Sequence, residues 1–376
     1  MTSPLGNTAT TDFLHEHWQK KPLLIREAMP GFAPELGIDD IAGLACDELA
    51  ESRLVSGSYP QHDWSLEYGP FEESRLSALP SANWTLLVQD VEKHYPPLKS
   101  LLAMFDFLPS WRIDDLMVSV AAPGGSVGPH CDQYDVFLLQ AEGRRRWQIA
   151  EHFDPALRSG TELNVLESFE FEQEWVLQPG DMLYLPPGIA HHGVALDTGM
   201  TWSLGMRAPS AADLMQAYGE WLASNSGEGR RYSDPDPGPP SDPAELDSAS
   251  IRRFAGLFGH DHDDFPEFLG SFLSRYRLAH EPLGPEEQLG RDDLATALIE
   301  GRILRHNPWT RLLWLQRGED ALLFGAGSVY TCDLRIASVV CNEPALAAGG
   351  RELAEQHSSL ICKLVNDGHL YLEFPS

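Results

Sequence analysis

The chain has 376 residues, a formal net charge of −29 and a pI near 4.7. That length exceeds one ordinary core, so two or three domains are expected. Charge of this sign repels phosphate backbones, which argues against direct nucleic-acid binding and favours a cationic partner, whose encounter it steers.

The cysteines Cys46, Cys131, Cys332, Cys341 and Cys362 form no CxxC pair. This points to a reducing compartment rather than a disulfide framework or zinc knuckle. No basic segment followed by an apolar run opens the sequence, and no stretch is apolar for long enough to span a bilayer, so no membrane association is expected. A soluble cytoplasmic protein is the expectation.

In chain order, TDFLHEHW (11–18) predicts a short capped helix and KPLLI (21–25) a buried strand. IDDIAGLACDEL sets Ile41, Leu44, Ala45 and Leu49 on one helical face. ANWTLLVQDVEKHY predicts a second helix, stopped by Pro96 and Pro97. From Trp111 to Pro209 short β-like runs take over: LMVSVAA, DVFLLQ, RRWQIA, WVLQ, DMLYL, HGVAL and TWSLGMRA. PGGSVG, AEG, QPGD and PPG separate them, and many short strands between turn signals indicate a sandwich or barrel.

After Pro209 the period is helical, with Leu214, Tyr218, Trp221 and Leu222 on one side of DLMQAYGEWL. The linker YSDPDPGPPSDPAE follows. Then Phe254, Phe258, Phe265, Phe268, Leu269, Phe272 and Tyr276 fall on helical faces. That is more aromatic surface than about 70 residues bury alone, so the segment packs on the barrel or pairs with its own copy across a two-fold axis. HEPLGPEEQLG (280–290) reads as a second linker. Helices DDLATALIEG and SSLICKLVNDG then alternate with strands TRLLWLQ, ALLF and HLYLEF, with RGED as a hairpin turn. Helices followed by a small sheet resemble a winged helix. Residues 291–376 carry 8 basic and 11 acidic side chains, which argues against a phosphate-binding face.

The chemistry concentrates in GPHCDQYDVFLLQAEGRRRW (128–147). Strand alternation points His130 and Asp132 the same way, with Cys131 opposed. QPGDMLYLPPGIAHHG offers a third ligand from a separate strand, His191 or His192. Two histidines and one carboxylate form the facial triad of non-haem Fe(II) oxygenases, leaving open positions for a bidentate cosubstrate and for O2. Of the three arginines after Gly143, which closes a hairpin in this reading, alternation sends Arg145 one way and Arg144 and Arg146 the other.

Gly124-x5-His130-x-Asp132 followed by Gly180-x5-Pro186-x-Gly188-x2-His191 resembles the two cupin motifs, in the form used by Jumonji-type 2-oxoglutarate oxygenases. DFLHEHWQKKPLLI, WRIDDLMVSVAAPGGSVGPHCDQYDVF, GRRRWQI, PGDMLYLPPGIAHHGVAL and YSDPD look specifically like the bacterial ribosomal oxygenases, arginine hydroxylases acting on large-subunit ribosomal protein sixteen. The resemblance implies a mixed α+β chain: a double-stranded β-helix barrel with flanking helices (1–209), a helical dimerisation domain (210–282) and a winged-helix-like domain (283–376). It implies Fe(II) on His130, Asp132 and His191, with His192 facing away as a satisfied or exposed histidine.

The anchoring cation of Jumonji enzymes lies two residues after such a glycine, which selects Arg145 for the distal carboxylate of 2-oxoglutarate. Ser119 would add a hydroxyl to that carboxylate. Threonine at 201 stands where related enzymes carry asparagine, and Cys131 replaces a more usual apolar residue. A substrate guanidinium needs carboxylate and aromatic partners, and Asp115 and Tyr134 are the candidates, ahead of Asp135. The implied function is arginine hydroxylation in a basic ribosomal protein by a homodimeric enzyme. The alternatives are an oxygenase acting on another protein or a small molecule, as demethylase or hydroxylase, and a non-catalytic cupin.

Overall fold

The β-like runs of the first half form strands that pair antiparallel throughout. The computed structural model describes residues 3–225, 233, 251–253, 264–275 and 282–374, and divides into two units, Met1–Ala208 and Pro209–Ser376. The first unit contains β1 (Leu23–Ile25), β2 (Ser52–Ser56), β3 (Ser65–Tyr68), β4 (Trp84–Val88), β5 (Ile113–Ala121), β6 (His130–Cys131), β7 (Val136–Glu142), β8 (Arg145–Ala150), β9 (Gln173–Leu177), β10 (Met182–Leu185), β11 (Ala190–Ala195) and β12 (Gly199–Met206). They make an eight-stranded sheet, ordered β1-β10-β7-β12-β5-β4-β2-β3, and a four-stranded sheet, ordered β6-β11-β8-β9.

Alternation divides each strand between two interiors. On one face of the large sheet Leu116, Val118, Phe137, Leu139, Tyr184 and Trp202 join the main apolar core with the helical segments. Phe13, on the helix Thr10–Glu16, is fully buried there, edge-on to Tyr184 at 4.9 Å. On the other face Val136, Leu138, Leu183 and Leu185 meet Trp147, Ile149 and Leu177 of the small sheet. This second interior is the barrel.

A brace joins the N-terminal segment to the turn after the His-x-Asp motif. Asp135 is fully buried and accepts from Tyr184 Oη (2.6 Å), Arg112 Nη2 (2.7 Å) and Gln19 Nε2 (3.0 Å). The Arg112 guanidinium stacks over Trp18 at 5.2 Å.

Three sequence expectations are corrected. Residues 82–95 are not one helix: Trp84–Val88 is strand β4, and only Val91–His94 is helical. WTLLV is a continuous apolar run, for which periodicity does not separate helix from strand, and pairing with β2 and β5 decides it. The helix from Ile38 stops at Leu44, so Leu49 is exposed while Ile41 and Ala45 are buried. Gly143 does not close a hairpin. β7 and β8 belong to different sheets, and the glycine turns the chain from one to the other. Strands β2 and β3 lie where the sequence suggested no element.

In the second unit the helix Ala211–Asn225 meets the helix Phe265–Ser274 through aromatic rings, with Tyr218 4.8 Å from Phe268 and 5.3 Å from Phe265. Strands β13 (Ile303–His306), β14 (Leu312–Arg317), β15 (Asp320–Gly325), β16 (Ser328–Asp333) and β17 (Leu370–Glu373) follow. β14, β15 and β16 form one sheet, β13 and β17 another, and RGED is the β14–β15 turn. Helices Arg291–Ile299, Leu334–Val340 and Glu343–Asn366 complete the unit. Phe254, Phe258, Tyr276 and the proline-rich linker, Ser233 apart, lie outside the described residues. Among the described residues no helix is long and apolar enough to cross a membrane.

The turn at Gly143 places Arg145 two residues later on β8. Its φ is +67°, and a Cβ there would lie 2.6 Å from Thr198 O and 3.0 Å from Gly199 Cα. Both strain and collision oppose a side chain. Gly143→Ala is expected to lower stability by about 1–3 kcal/mol, read as a shift in the urea midpoint with an unchanged m-value. An unaltered midpoint contradicts this account of the turn.

Candidate active site

Strand register brings the two histidines together. β6 pairs antiparallel with β11, and His130 stands directly opposite His191, with ring centroids 4.2 Å apart. Asp132 follows β6, and its backbone carbonyl accepts from Gly188 N at 2.9 Å, which ties the carboxylate segment to the turn before β11. Asp132 Oδ2 lies 3.9 Å from His130 Nε2 and 3.7 Å from His191 Nε2. One donor atom from each side chain falls within 4.8 Å of the others, and among the described residues this is the one such cluster of three.

The tautomers follow from the backbone. His130 Nδ1 lies 2.9 Å from Gly128 O and His191 Nδ1 3.0 Å from Ile189 O. A carbonyl only accepts, so each Nδ1 carries the proton and each Nε2 lone pair points at the cluster. Burial pushes the His191 pKa down to about 4, helped by the neighbouring His130 ring, so the imidazole is neutral at pH 7. Two imidazoles and a carboxylate, His191 buried and the other two half-buried, convergent on one side, fit a divalent transition metal with open positions.

Deeper in the barrel stands Arg145, 4 % exposed. Its Nη1 donates to Thr201 Oγ1 (3.5 Å) and Nη2 to Gly193 O (3.3 Å), and its guanidinium lies 5.1 Å from the Trp147 ring. Nε has no partner among the described residues. No carboxylate pairs with it among those contacts, and burial pulls its pKa down to about 10, so it stays charged at pH 7. A charged, buried and under-satisfied fork suits a ligand carboxylate. Arg144 and Arg146 point outward to Asp197 (2.7 Å) and Glu174 (3.9 Å).

Sequence reasoning missed how Arg145 is held. Thr201 Oγ1 donates to Gln140 Oε1 (3.1 Å), and Gln140 Nε2 donates to the carbonyls of Glu142 (2.8 Å) and Met200 (3.2 Å). Alternation carried the signal: Gln140 is polar on the strand face shared with Val136 and Leu138. Gly193 matters through what it lacks, since a Cβ there would lie 2.8 Å from Arg145 Nε and 2.6 Å from Trp147 Cζ3. Ser119 is buried beside Thr201 in register, and its hydroxyl donates to Thr201 O at 3.3 Å.

Asp115 is buried near the start of β5, and Tyr134 is 42 % exposed after the His-x-Asp motif. Burial raises the Tyr134 phenol above its ordinary range, with the Asp132 and Asp115 carboxylates adding to the rise. Tyr134, Asp115 and Asp132 therefore form one neighbourhood. Asp135 is absorbed by its brace with Arg112 and Tyr184. His192 differs from expectation: it faces away from the cluster but is 5 % exposed, and neither ring nitrogen has a partner among the described residues. It packs edge-on to Tyr59 (5.6 Å) and Phe169 (6.0 Å) in an apolar setting that lowers its pKa to about 3.

Both units match known protein families. Residues 100–214 match the JmjC domain family and residues 259–371 the ROXA-like winged helix family. The chain is 34 % identical to the Escherichia coli ribosomal protein uL16 3-hydroxylase over 368 residues, covering 96 % of this chain and 97 % of that protein. It is 40 % identical to a probable ribosomal oxygenase of Haemophilus influenzae, over 54 % of this chain and 50 % of that one. The crystal structure of E. coli YcfD superposes with a TM-score of 0.86 at 33 % identity, covering 98 % of this chain and 99 % of the other. A structure of YcfD, a ribosomal oxygenase, in complex with cobalt and 2-oxoglutarate gives a TM-score of 0.83 at 34 % identity over the same shares. With near full-length identity joined to the histidine–aspartate cluster and the buried arginine, the chain belongs to the ribosomal oxygenases, a family of Jumonji-type Fe(II)- and 2-oxoglutarate-dependent dioxygenases.

Proposed function

We propose that this enzyme hydroxylates an arginine side chain of large-subunit ribosomal protein uL16, using Fe(II), 2-oxoglutarate and O2. The observation that carries the reading is the pairing, in one barrel, of a convergent His130–Asp132–His191 set with a buried, carboxylate-free Arg145. The near full-length identity with a uL16 3-hydroxylase supports the substrate, and the −29 charge suits a partner as basic as a ribosomal protein.

The residues divide the work. His130 and His191, through Nε2, and Asp132, through its carboxylate, would hold the metal. Bound Fe(II) would supply the redox chemistry by which O2, the oxidant, gives one oxygen atom to a substrate C–H bond and the other to 2-oxoglutarate, which leaves as succinate and CO2. Gly128 and Ile189 carbonyls fix both imidazole planes, so the ligand set costs no reorganisation when it is filled. Arg145 receives the distal carboxylate of 2-oxoglutarate in two parallel hydrogen bonds, oriented by Thr201 and Gln140, with Ser119 alongside. Trp147, Ile149 and Leu138 keep water from that interior. At the outer end Asp115 pairs with the substrate guanidinium and Tyr134 lies against its face.

In this reading residues 1–209 are the catalytic domain, 210–282 a helical dimerisation domain and 283–376 a winged-helix-like domain. The enzyme works as a homodimer in the cytoplasm, without membrane association. The excess of acidic over basic side chains in 291–376 supports a winged helix that does not bind nucleic acid directly.

Incubating the Fe(II)-loaded protein with uL16, 2-oxoglutarate and air is expected to add about 16 Da to one arginine, the mass of one oxygen atom, with stoichiometric succinate. Succinate release coupled to oxidation of a different residue or a small molecule sinks the substrate assignment. Arg145→Met is expected to raise the KM for 2-oxoglutarate about a hundredfold, and Arg145→Lys by less, because one buried charge then loses its partner. An unmoved KM removes Arg145 from the cosubstrate site. His191→Ala is expected to weaken cobalt binding about a hundredfold or more in a calorimetric titration, while His192→Ala keeps it within about threefold. The reverse pattern reassigns the third ligand.

A further inference from the structure

The turn after β4 grips two consecutive residues of β5. Glu92 accepts from Leu116 N through its Oε2 at 3.0 Å, and the buried Lys93 ammonium lies between Glu92 (3.6 Å) and Asp90. One residue before Leu116, the Asp115 carboxylate meets the side chain of Gln89, which is also buried. Each neighbour of that amide fixes its orientation. Gln89 Nε2 donates to Asp115 Oδ2 at 2.6 Å, and Gln89 Oε1 accepts from Arg53 Nη2 at 3.1 Å. Gln89 N donates in turn to Glu51 O (2.9 Å), one residue before β2, the strand that carries Arg53. Strands β2 and β5 and the turn after β4 therefore meet in one chain of donors and acceptors running from a guanidinium to a carboxylate.

We propose that Gln89, backed by Arg53, is a positioning residue that fixes the Asp115 carboxylate to receive the guanidinium of the substrate. The inference rests on the reading of Asp115 given above. Direction carries the argument. An uncharged amide accepts from a guanidinium at one end and donates to a carboxylate at the other. The Arg53 cation polarises the amide and strengthens its donation to Asp115 Oδ2. A glutamine does this without titrating, so the restraint is independent of pH across the working range. The Glu92 bond to Leu116 N holds the backbone of the same strand, so both the side chain and the main chain of this corner are fixed.

The test reads binding without turnover: the anisotropy of a fluorescein-labelled, arginine-bearing uL16 peptide on the full chain loaded with cobalt and 2-oxoglutarate. Gln89→Met and Arg53→Met are each expected to weaken the peptide about tenfold, the loss of a charge-assisted hydrogen bond. The double variant is expected to be no weaker than Gln89→Met alone, because both act through one chain. Arg53→Lys keeps a donor to Gln89 Oε1 and is expected to recover most of the affinity, while affinity for 2-oxoglutarate stays at the wild-type value in every Gln89 and Arg53 variant. Asp115→Asn separates the two claims. If it weakens the peptide while Gln89→Met stays within about twofold of wild type, the relay is overturned and the role of Asp115 stands. If Asp115→Asn has no effect, the role of Asp115 falls and the relay with it. Should Gln89→Met melt early, the Arg53→Met and Arg53→Lys pair decides: equal peptide affinity in both overturns the proposal.

Discussion

A two-residue strand sets the chemistry of this protein. β6 contains only His130 and Cys131, yet its pairing with β11 places His130 across from His191, and every distance in the cluster follows from that register. A slip of one residue would put His192 opposite His130 and turn His191 to the outside. The glycines on either side oppose such a slip. Gly128 packs so closely on Val165 and Trp64 that a Cβ would come within 2.7 Å, and Gly188, at φ +83°, makes the turn that starts β11. The outward face adds a second restraint, because the His192 ring packs edge-on to both Tyr59 and Phe169.

Electrostatics divides the barrel along its depth. The Arg145 cation lies at the inner end with hydroxyl, amide and carbonyl neighbours, and the carboxylates of Asp132 and Asp115 lie toward the exposed Tyr134. A charge taken out of water without an opposite partner is unfavourable by several kcal/mol, roughly, even after relaxation. The fold tolerates Arg145 because Trp147, Thr201 and Gly193 partly replace water, and because a ligand carboxylate can complete the pair.

Much of this was legible in the sequence, for identifiable reasons. Alternation alone put His130 and Asp132 on one face and separated Arg145 from Arg144 and Arg146, since strand period is local and rigid. The glycine spacing around the motifs marked turns that only positive φ permits. What stayed hidden depended on partners distant in the chain. WTLLV reads equally as helix or strand until β2 and β5 flank it. Gly143 looks like a hairpin glycine, and nothing local reveals that β7 and β8 enter different sheets. The Thr201–Gln140 support of Arg145 joins residues 61 apart, and the Arg53–Gln89–Asp115 chain joins two strands and a turn distant in sequence, so neither leaves a spacing signature.

In the proposed reading one site takes ligands of opposite charge. At the inner end the fixed Arg145 guanidinium would meet a mobile carboxylate, and at the outer end the fixed Asp115 carboxylate would meet a mobile guanidinium. Two unit charges 4 Å apart interact by about 4 kcal/mol at an effective dielectric near 20, so each end strongly rejects the other's ligand. A substrate arginine pushed too deep meets Arg145 and is repelled. In that reading the dicarboxylate would bind before a cationic peptide, and its negative charge would add to the field that draws the peptide in. The acidic surface of the whole chain works in the same sense, slowing entry of the small anion but not its retention, while accelerating arrival of a basic protein.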